Sequence, residues 1–237
     1  MPRLSVMKLN RIFALSLIAA LALPMTTANA AGRYIKVNAE GTVKVVPDAV
    51  RLNATATLVA GSNKEALSSL TAVSNSVRSA LTSNGVAGKD IATTSITTYP
   101  EYNYTQDKGS VLIGYRASQS FNVVIRNAKS AGTIVDAVVA AGGDNLNLTG
   151  VTPFVLDNAK ATASARSVAV ANAKAKAKSY AKLIGGTLGR VQFVIENSSP
   201  NVSAPIMAVA KDAMGTTQVD LGQQDVTVSI SVRYTLN

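Results

Sequence analysis

The chain has 237 residues, with 23 Lys+Arg against 13 Asp+Glu, a formal net charge of +10 at pH 7, and no His, Cys or Trp. Without His or Cys there is no Ser-His-Asp or Cys-His nucleophile, no thiol redox motif or disulfide framework, and no zinc or iron–sulfur site of the usual ligand types. The composition names no reaction; what the residues encode is where the chain acts and how it is built.

Residues 1–30 read as a signal peptide. MPRLSVMKLNR carries Arg3, Lys8 and Arg11 without an acid, and IFALSLIAALALPM has the length of a signal-peptide core. That core is too short for a membrane span. The small-x-small run Ala28-Asn29-Ala30 places cleavage after Ala30. Residues 31–237 then hold 20 basic and 13 acidic side chains, a net charge of +7. No second apolar run is long enough for a helix to span a membrane. Export without cysteine points to a bacterial envelope protein whose stability comes from its core alone.

Residues 31–237 read as one domain. Tyr34–Val46 is β-rich, with Gly41 as a break or bulge. After Pro47-Asp48, Ala49–Ala60 alternates between Val50, Leu52, Ala54, Ala56 and Arg51, Asn53, Thr55, Thr57, the period of a strand with one wet face. A helix follows over about Ser62–Leu81. Ser62 is its N-cap, Glu65 completes a capping box, and Ala66, Leu70, Val73, Val77 and Leu81 form the apolar stripe. Asn84-Gly85 stops it. Ile91–Tyr104 and Val111–Ile125 make a hairpin around a polar loop at Thr105–Ser110. The inward phase of its second strand is Tyr115, Ala117, Gln119, Phe121, Val123 and Ile125.

A shorter helix at about Ala128–Ala141 presents Ile134, Val135, Val138 and Val139 and ends at Gly142-Gly143. A strand at Leu146–Leu156 leads into the longest helix, about Asp157–Ile184, in which ten residues are Ala. On a wheel of about 100° per residue, Ala165, Ala169, Ala173, Ala177, Tyr180 and Ile184 gather on one side and Lys160, Lys174, Lys178 and Lys182 on the other. Arg190–Glu196 is a strand. Residues 197–220 read as a long loop with Pro200, Pro205 and an apolar patch at Ile206–Ala210, and such loops are usually functional or mobile. Asp225–Leu236 alternates as the last strand. The element order βββ-α-ββ-α-β-α-β-β specifies an α+β fold, a largely antiparallel sheet or sheets with three helices on one face. Its strand–helix–hairpin halves suggest a diverged internal repeat.

Four separated patches resemble the SIMPL domain family of exported bacterial proteins. They are Val37–Asp48 (VNAEGTVKVVPD), Gly114–Gln119 (GYRASQ), the Ala/Lys helix ending Leu183-Ile184-Gly185-Gly186, and Val226–Tyr234 (VTVSISVRY). Ala39 replaces the Gly of many members, and Leu221-Gly222-Gln223-Gln224-Asp225 replaces their P-G-E. The resemblance covers nearly all of residues 31–237. It implies an α+β domain in the periplasm or at the outer membrane, self-assembly, and a role in envelope integrity or stress tolerance. It implies no catalytic residues.

Other constellations carry less. Ser179-Tyr180-Ala181-Lys182 matches S-x-x-K, but the K-T-G partner of that chemistry is missing. Lys160, Lys174, Lys178 and Lys182 suit an anionic lipid or polysaccharide; the plainer reading is a solvated face. Tyr102 and Tyr104 share a strand face and suit a partner subunit; the plainer reading is cross-strand packing. Ile206 and Met207, in the apolar patch, suit a second subunit or a membrane surface; the plainer reading is a loop folded onto its own core. The sequence thus leads to an exported, non-enzymatic homo-oligomer with membrane-surface contact and with no cofactor, metal or nucleic acid. The alternative is a binding module for an anionic envelope component.

Overall fold

In the computed structural model the described residues are 32–107, 109–197, 201–202 and 217–237. The signal peptide expected at 1–30, and Ile206 and Met207 with their apolar patch, lie outside them. In chain order, β1 (Tyr34–Val45) and β2 (Ala49–Ala60) precede α1 (Asn63–Ser83). β3 (Ile91–Thr105) and β4 (Gly109–Ile125) precede α2 (Ala131–Gly142), and β5 (Leu146–Phe154) precedes α3 (Ala159–Leu183). β6 (Leu188–Glu196), β7 (Asn201–Val202) and β8 (Gln224–Leu236) follow. β7 interrupts the expected loop at 197–220.

The strands form two antiparallel sheets, β3-β4-β2-β5 and β1-β8-β6, with β7 also beside β8. The fold is α+β. The helices do not share one face: α1 and α2 cover the first sheet and α3 alone covers the second, so each sheet has its own core. The two layers differ in strand order and helix number, which gives the suggested internal repeat no support.

In the first layer the period-two pattern of β2 decides orientation. Val50, Leu52, Ala54 and Ala56 are buried, while the opposite phase makes polar rungs, Thr55 to Ser120 at 3.0 Å, Thr57 to Ser118 at 3.0 Å and Asn122 to Asn53 at 2.8 Å. The Ser62 hydroxyl caps α1 by accepting from the Glu65 N–H at 3.2 Å, which satisfies one of the free donors at the helix start. Ala66, Leu70, Val77 and Leu81 face the sheet. The one polar residue of the inward phase of β4, Gln119, is satisfied there: Ser74 donates to its carbonyl at 2.9 Å and its amide donates to Thr93 at 3.2 Å. On α2, Ile134, Val135 and Val138 are buried, but Val139 faces outward.

In the second layer Gly41 is neither a break nor a bulge. The β1–β8 ladder runs without a register shift from Tyr34 to Val45, with Gly41 opposite Val228, so the three strands expected before α1 are two. At Gly41 the backbone of α3 packs directly on the strand. A Cβ there would overlap the carbonyl oxygen of Ala165 and the amide nitrogen of Ala169. α3 meets the sheet through Ala165, Ala169, Ala173, Ala177 and Ala181, spaced by four, and Ala161 is buried one step before them. A four-residue step turns about 40° further around a helix than a full turn, so the buried row spirals along α3. Tyr180 and Ile184, expected on that row, are exposed.

Asp48 ties the connections together. Its backbone carbonyl accepts from the Ala128 N–H at 3.0 Å, before α2, and its carboxylate accepts from the Leu156 N–H at 2.8 Å, before α3.

Candidate interaction surface

The β3–β4 hairpin outgrows its sheet. β2 accompanies β4 only from Ile125 to Tyr115, where its last residue, Ala60, is paired. Beyond that point Glu101–Thr105 and Gly109–Gly114 have only each other, a two-stranded arm. The register passes from Glu101–Gly114 to Tyr102–Leu112, which leaves Ile113 as a bulge. Such bulges strengthen local twist and turn a strand away from its sheet. Gly114 makes this exit: its φ is +153° and a Cβ would sit 2.6 Å from the Ala60 carbonyl oxygen. At the base, Arg116 grips Glu101 with two hydrogen bonds of 2.7 Å each. Those bonds hold the Glu101 carboxyl below its usual range, against the opposing effect of desolvation, and raise Arg116.

The arm carries exposed apolar side chains on both faces, among polar ones. Tyr102 pairs with Leu112 and Asn103 with Val111, and Tyr104 shares the Tyr102 face. Tyr104 is 78% exposed, and Tyr102, Val111, Leu112 and Ile113 are exposed as well. An isolated two-stranded hairpin is marginal in water, and exposed apolar side chains grouped in this way are a common feature of interaction sites. The tyrosines are the part of the arm legible from sequence. Val111, Leu112 and Ile113 read as part of an ordinary strand because nothing in their period shows that pairing with β2 stops at Ala60 and Tyr115.

The four lysines expected as one stripe divide. Because the buried row of α3 spirals, Lys174, Lys178 and Lys182 each follow a buried alanine and line one flank, while Lys160 precedes Ala161 about 20 Å away. Lys160 borders a shallow hollow with Val43, Lys44 and Asp157. Lys176, not singled out from sequence, donates to the Asn38 carbonyl at 3.0 Å, and Asn172 donates to that of Glu40 at 2.8 Å. Ser179 and Lys182 are both exposed on α3. Among the described residues no group of three or more His, Cys, Asp or Glu is placed to hold a metal ion, and no helix is long and apolar enough to cross a membrane.

The SIMPL family model, described as a protein of unknown function (DUF541), matches residues 35–234. The 26 kDa periplasmic immunogenic protein of Brucella melitensis is 31% identical over 215 residues, which is 84% of this chain and 83% of that protein. Its counterpart in Brucella abortus is similar to the same extent. The uncharacterized protein YggE of Escherichia coli K12 is 31% identical over 115 residues, 47% of this chain and 45% of YggE.

Proposed function

The chain belongs to the SIMPL family, and from that premise we propose that it is an exported, non-enzymatic protein of the periplasm that self-assembles through its hairpin arm and supports envelope integrity or stress tolerance. The periplasmic setting rests on the names of the Brucella relatives and on the leader read at residues 1–30. The non-enzymatic character rests on the absence of His and Cys and on relatives whose names are not those of enzymes. The envelope role follows from the family resemblance alone.

Assembly rests on one observation, the arm with apolar side chains on both faces. Its turn holds Gln106 and Asp107, so the apolar residues lie along its sides and its end is polar. That form suits a cleft on a second copy better than a flat lipid surface. Light scattering after size exclusion tests this. The parent is expected to run as an oligomer, and Tyr102→Ser/Tyr104→Ser to lose mass while melting at the parent's temperature. A monomeric parent, or a variant unchanged in both mass and stability, would refute assembly through the arm.

A further inference from the structure

The second sheet has an outer face, opposite α3, to which β1 sends its even-numbered residues and β8 its odd-numbered ones, while their neighbours turn to α3. From Lys44 to Asn38 the rungs of this face oppose no like charges. Lys44 pairs with Asp225 at 3.0 Å, Thr42 and Thr227 share a hydrogen bond of 2.9 Å, Glu40 stands opposite Ser229, and Ser231 donates to the Asn38 oxygen at 2.6 Å. The next rung breaks the pattern by setting Lys36 against Arg233. Like charges directly opposite each other are destabilising, and neither residue makes an ion pair among the described residues.

Arg233 is held in place by its neighbours. Its guanidinium carbon lies 4.1 Å from the ring centroid of Tyr34 and 4.7 Å from that of Phe193. Those contacts are made through the guanidinium face, whereas its N–H donors lie in the plane and need an acceptor. The Nε is buried and has no hydrogen-bond partner among the described residues, and a buried donor left unpaired costs free energy. Apolar and polar groups flank the rung. Phe193 and Ile195 take successive outward positions on β6, opposite Arg233 and Ser231, and Ile195 and Tyr34 are about half exposed. On the other side of Lys36, Ser231 occupies only the Asn38 oxygen, which leaves the Asn38 amide able to donate.

We propose that the Lys36–Arg233 rung is a binding site for the phosphate of a phosphorylated sugar. A phosphate monoester carries about −1.5 to −2 charge at pH 7 and so matches two cations, whereas a single carboxylate leaves one of them uncompensated. Arg233 supplies a planar fork of donors and Lys36 a mobile point charge, two complementary ways of holding phosphate. The C–H groups of the sugar pack on Tyr34, Phe193 and Ile195, and its hydroxyls reach the Asn38 amide. An acyl chain finds no cleft on an open sheet face, which favours a compact polar ligand. The inference rests neither on assembly nor on the periplasmic setting.

The test is a titration followed by backbone amide NMR, which reads weak binding, using protein without residues 1–30, which keeps both cores. Glucose 6-phosphate is expected to shift amides around Lys36 and Arg233 and to bind more tightly than inorganic phosphate, glucose or glucuronate. A phosphorylated oligosaccharide in a parallel titration distinguishes a glycan-borne phosphate from a free sugar phosphate, and binding of either supports the site. Lys36→Gln and Arg233→Gln should each weaken binding by about tenfold or more, the loss expected for a charge-assisted hydrogen bond. Lys36→Glu should abolish binding and raise the melting temperature slightly, because it turns a like-charged rung into a surface ion pair. Lys36 is exposed, so its variants test the site even where Arg233→Gln disturbs the packing of Tyr34 and Phe193. No shift with either phosphorylated ligand, equal binding of glucuronate or inorganic phosphate, or a Lys36→Glu protein that binds like the parent or is no more stable than it would overturn the proposal.

Discussion

Gly41→Ala adds a single methyl to a β-strand, where alanine is ordinarily tolerated. Here the new Cβ would overlap the Ala165 carbonyl oxygen and the Ala169 amide nitrogen and lie 3.0 Å from the Ala169 Cα. Optimal heavy-atom contacts fall near 3.5–4.0 Å, so α3 must retreat by more than about 1 Å. The obstructing atoms are helix backbone, which no rotamer change can move. Opening a gap of roughly 0.5–1 Å forfeits a quarter to a half of each contact's attraction. α3 holds the sheet mainly through alanine methyls, which cannot reach across such a gap. The cost belongs at the upper end of the overpacking range, about 3 kcal/mol. For a unit of this size that corresponds to a drop in melting temperature of about 6–12 °C.

Thermal and urea unfolding followed by circular dichroism measure the effect. Combining Gly41→Ala with Ala169→Gly is expected to give no rescue, because the overlap is with the backbone of residue 169. A Gly41→Ala protein within about 0.5 kcal/mol of the parent would refute the account, and rescue by Ala169→Gly would place the crowding on the side chain instead.

Asp48→Ala removes the acceptor of the Leu156 N–H and is expected to cost about 1–2 kcal/mol. Asp48→Asn keeps an acceptor and should recover part of that in the same unfolding assay. Asp90 is almost fully buried and receives two hydrogen bonds from Arg126, 2.7 and 2.8 Å, which hold its carboxyl below the usual range against desolvation. A depressed folded pKa contributes stability above the unfolded value, about 3.9, and that stability fades as pH falls through the folded value. Asp90→Asn should therefore be less stable than the parent at pH 7, with the difference shrinking below about pH 4; a constant difference down to pH 2.5 would contradict the assignment.

Element types and most boundaries were legible because local signals agreed: the alternation of β2 and β8, the Ser62 cap, Asn84-Gly85 after α1 and the glycine pairs at the ends of α2 and α3. Pairing between distant segments was not. Gly41 in a β-rich run reads locally as a bulge; only the arrival of α3, more than 120 residues later in the chain, gives it another purpose. The same gap hid the spiral of the alanine row, since a wheel assumes a straight stripe whereas a helix on a twisted sheet follows the twist.

The sheet edges bear on how copies would meet. A free edge offers unpaired N–H and C=O groups to any other strand. On β1, part of that offer is taken by Asn172 and Lys176, which occupy the outward carbonyls of Glu40 and Asn38. On β3, Pro100 removes a donor, and the bulge between Thr93 and Ser95 breaks its regular spacing. On β6, two register shifts do the same. Three edges are thus modified against open-ended strand addition, while the arm keeps its apolar side chains exposed. Assembly by continuous sheet extension would have to work against these features. Assembly by side-chain packing of Tyr102, Tyr104 and Leu112 into a neighbour would not, and it would be limited by the shape of the surface receiving them. That limit is what separates a closed oligomer from aggregation, and it is why the Tyr102/Tyr104 variant is expected to lose mass while its sheets remain paired.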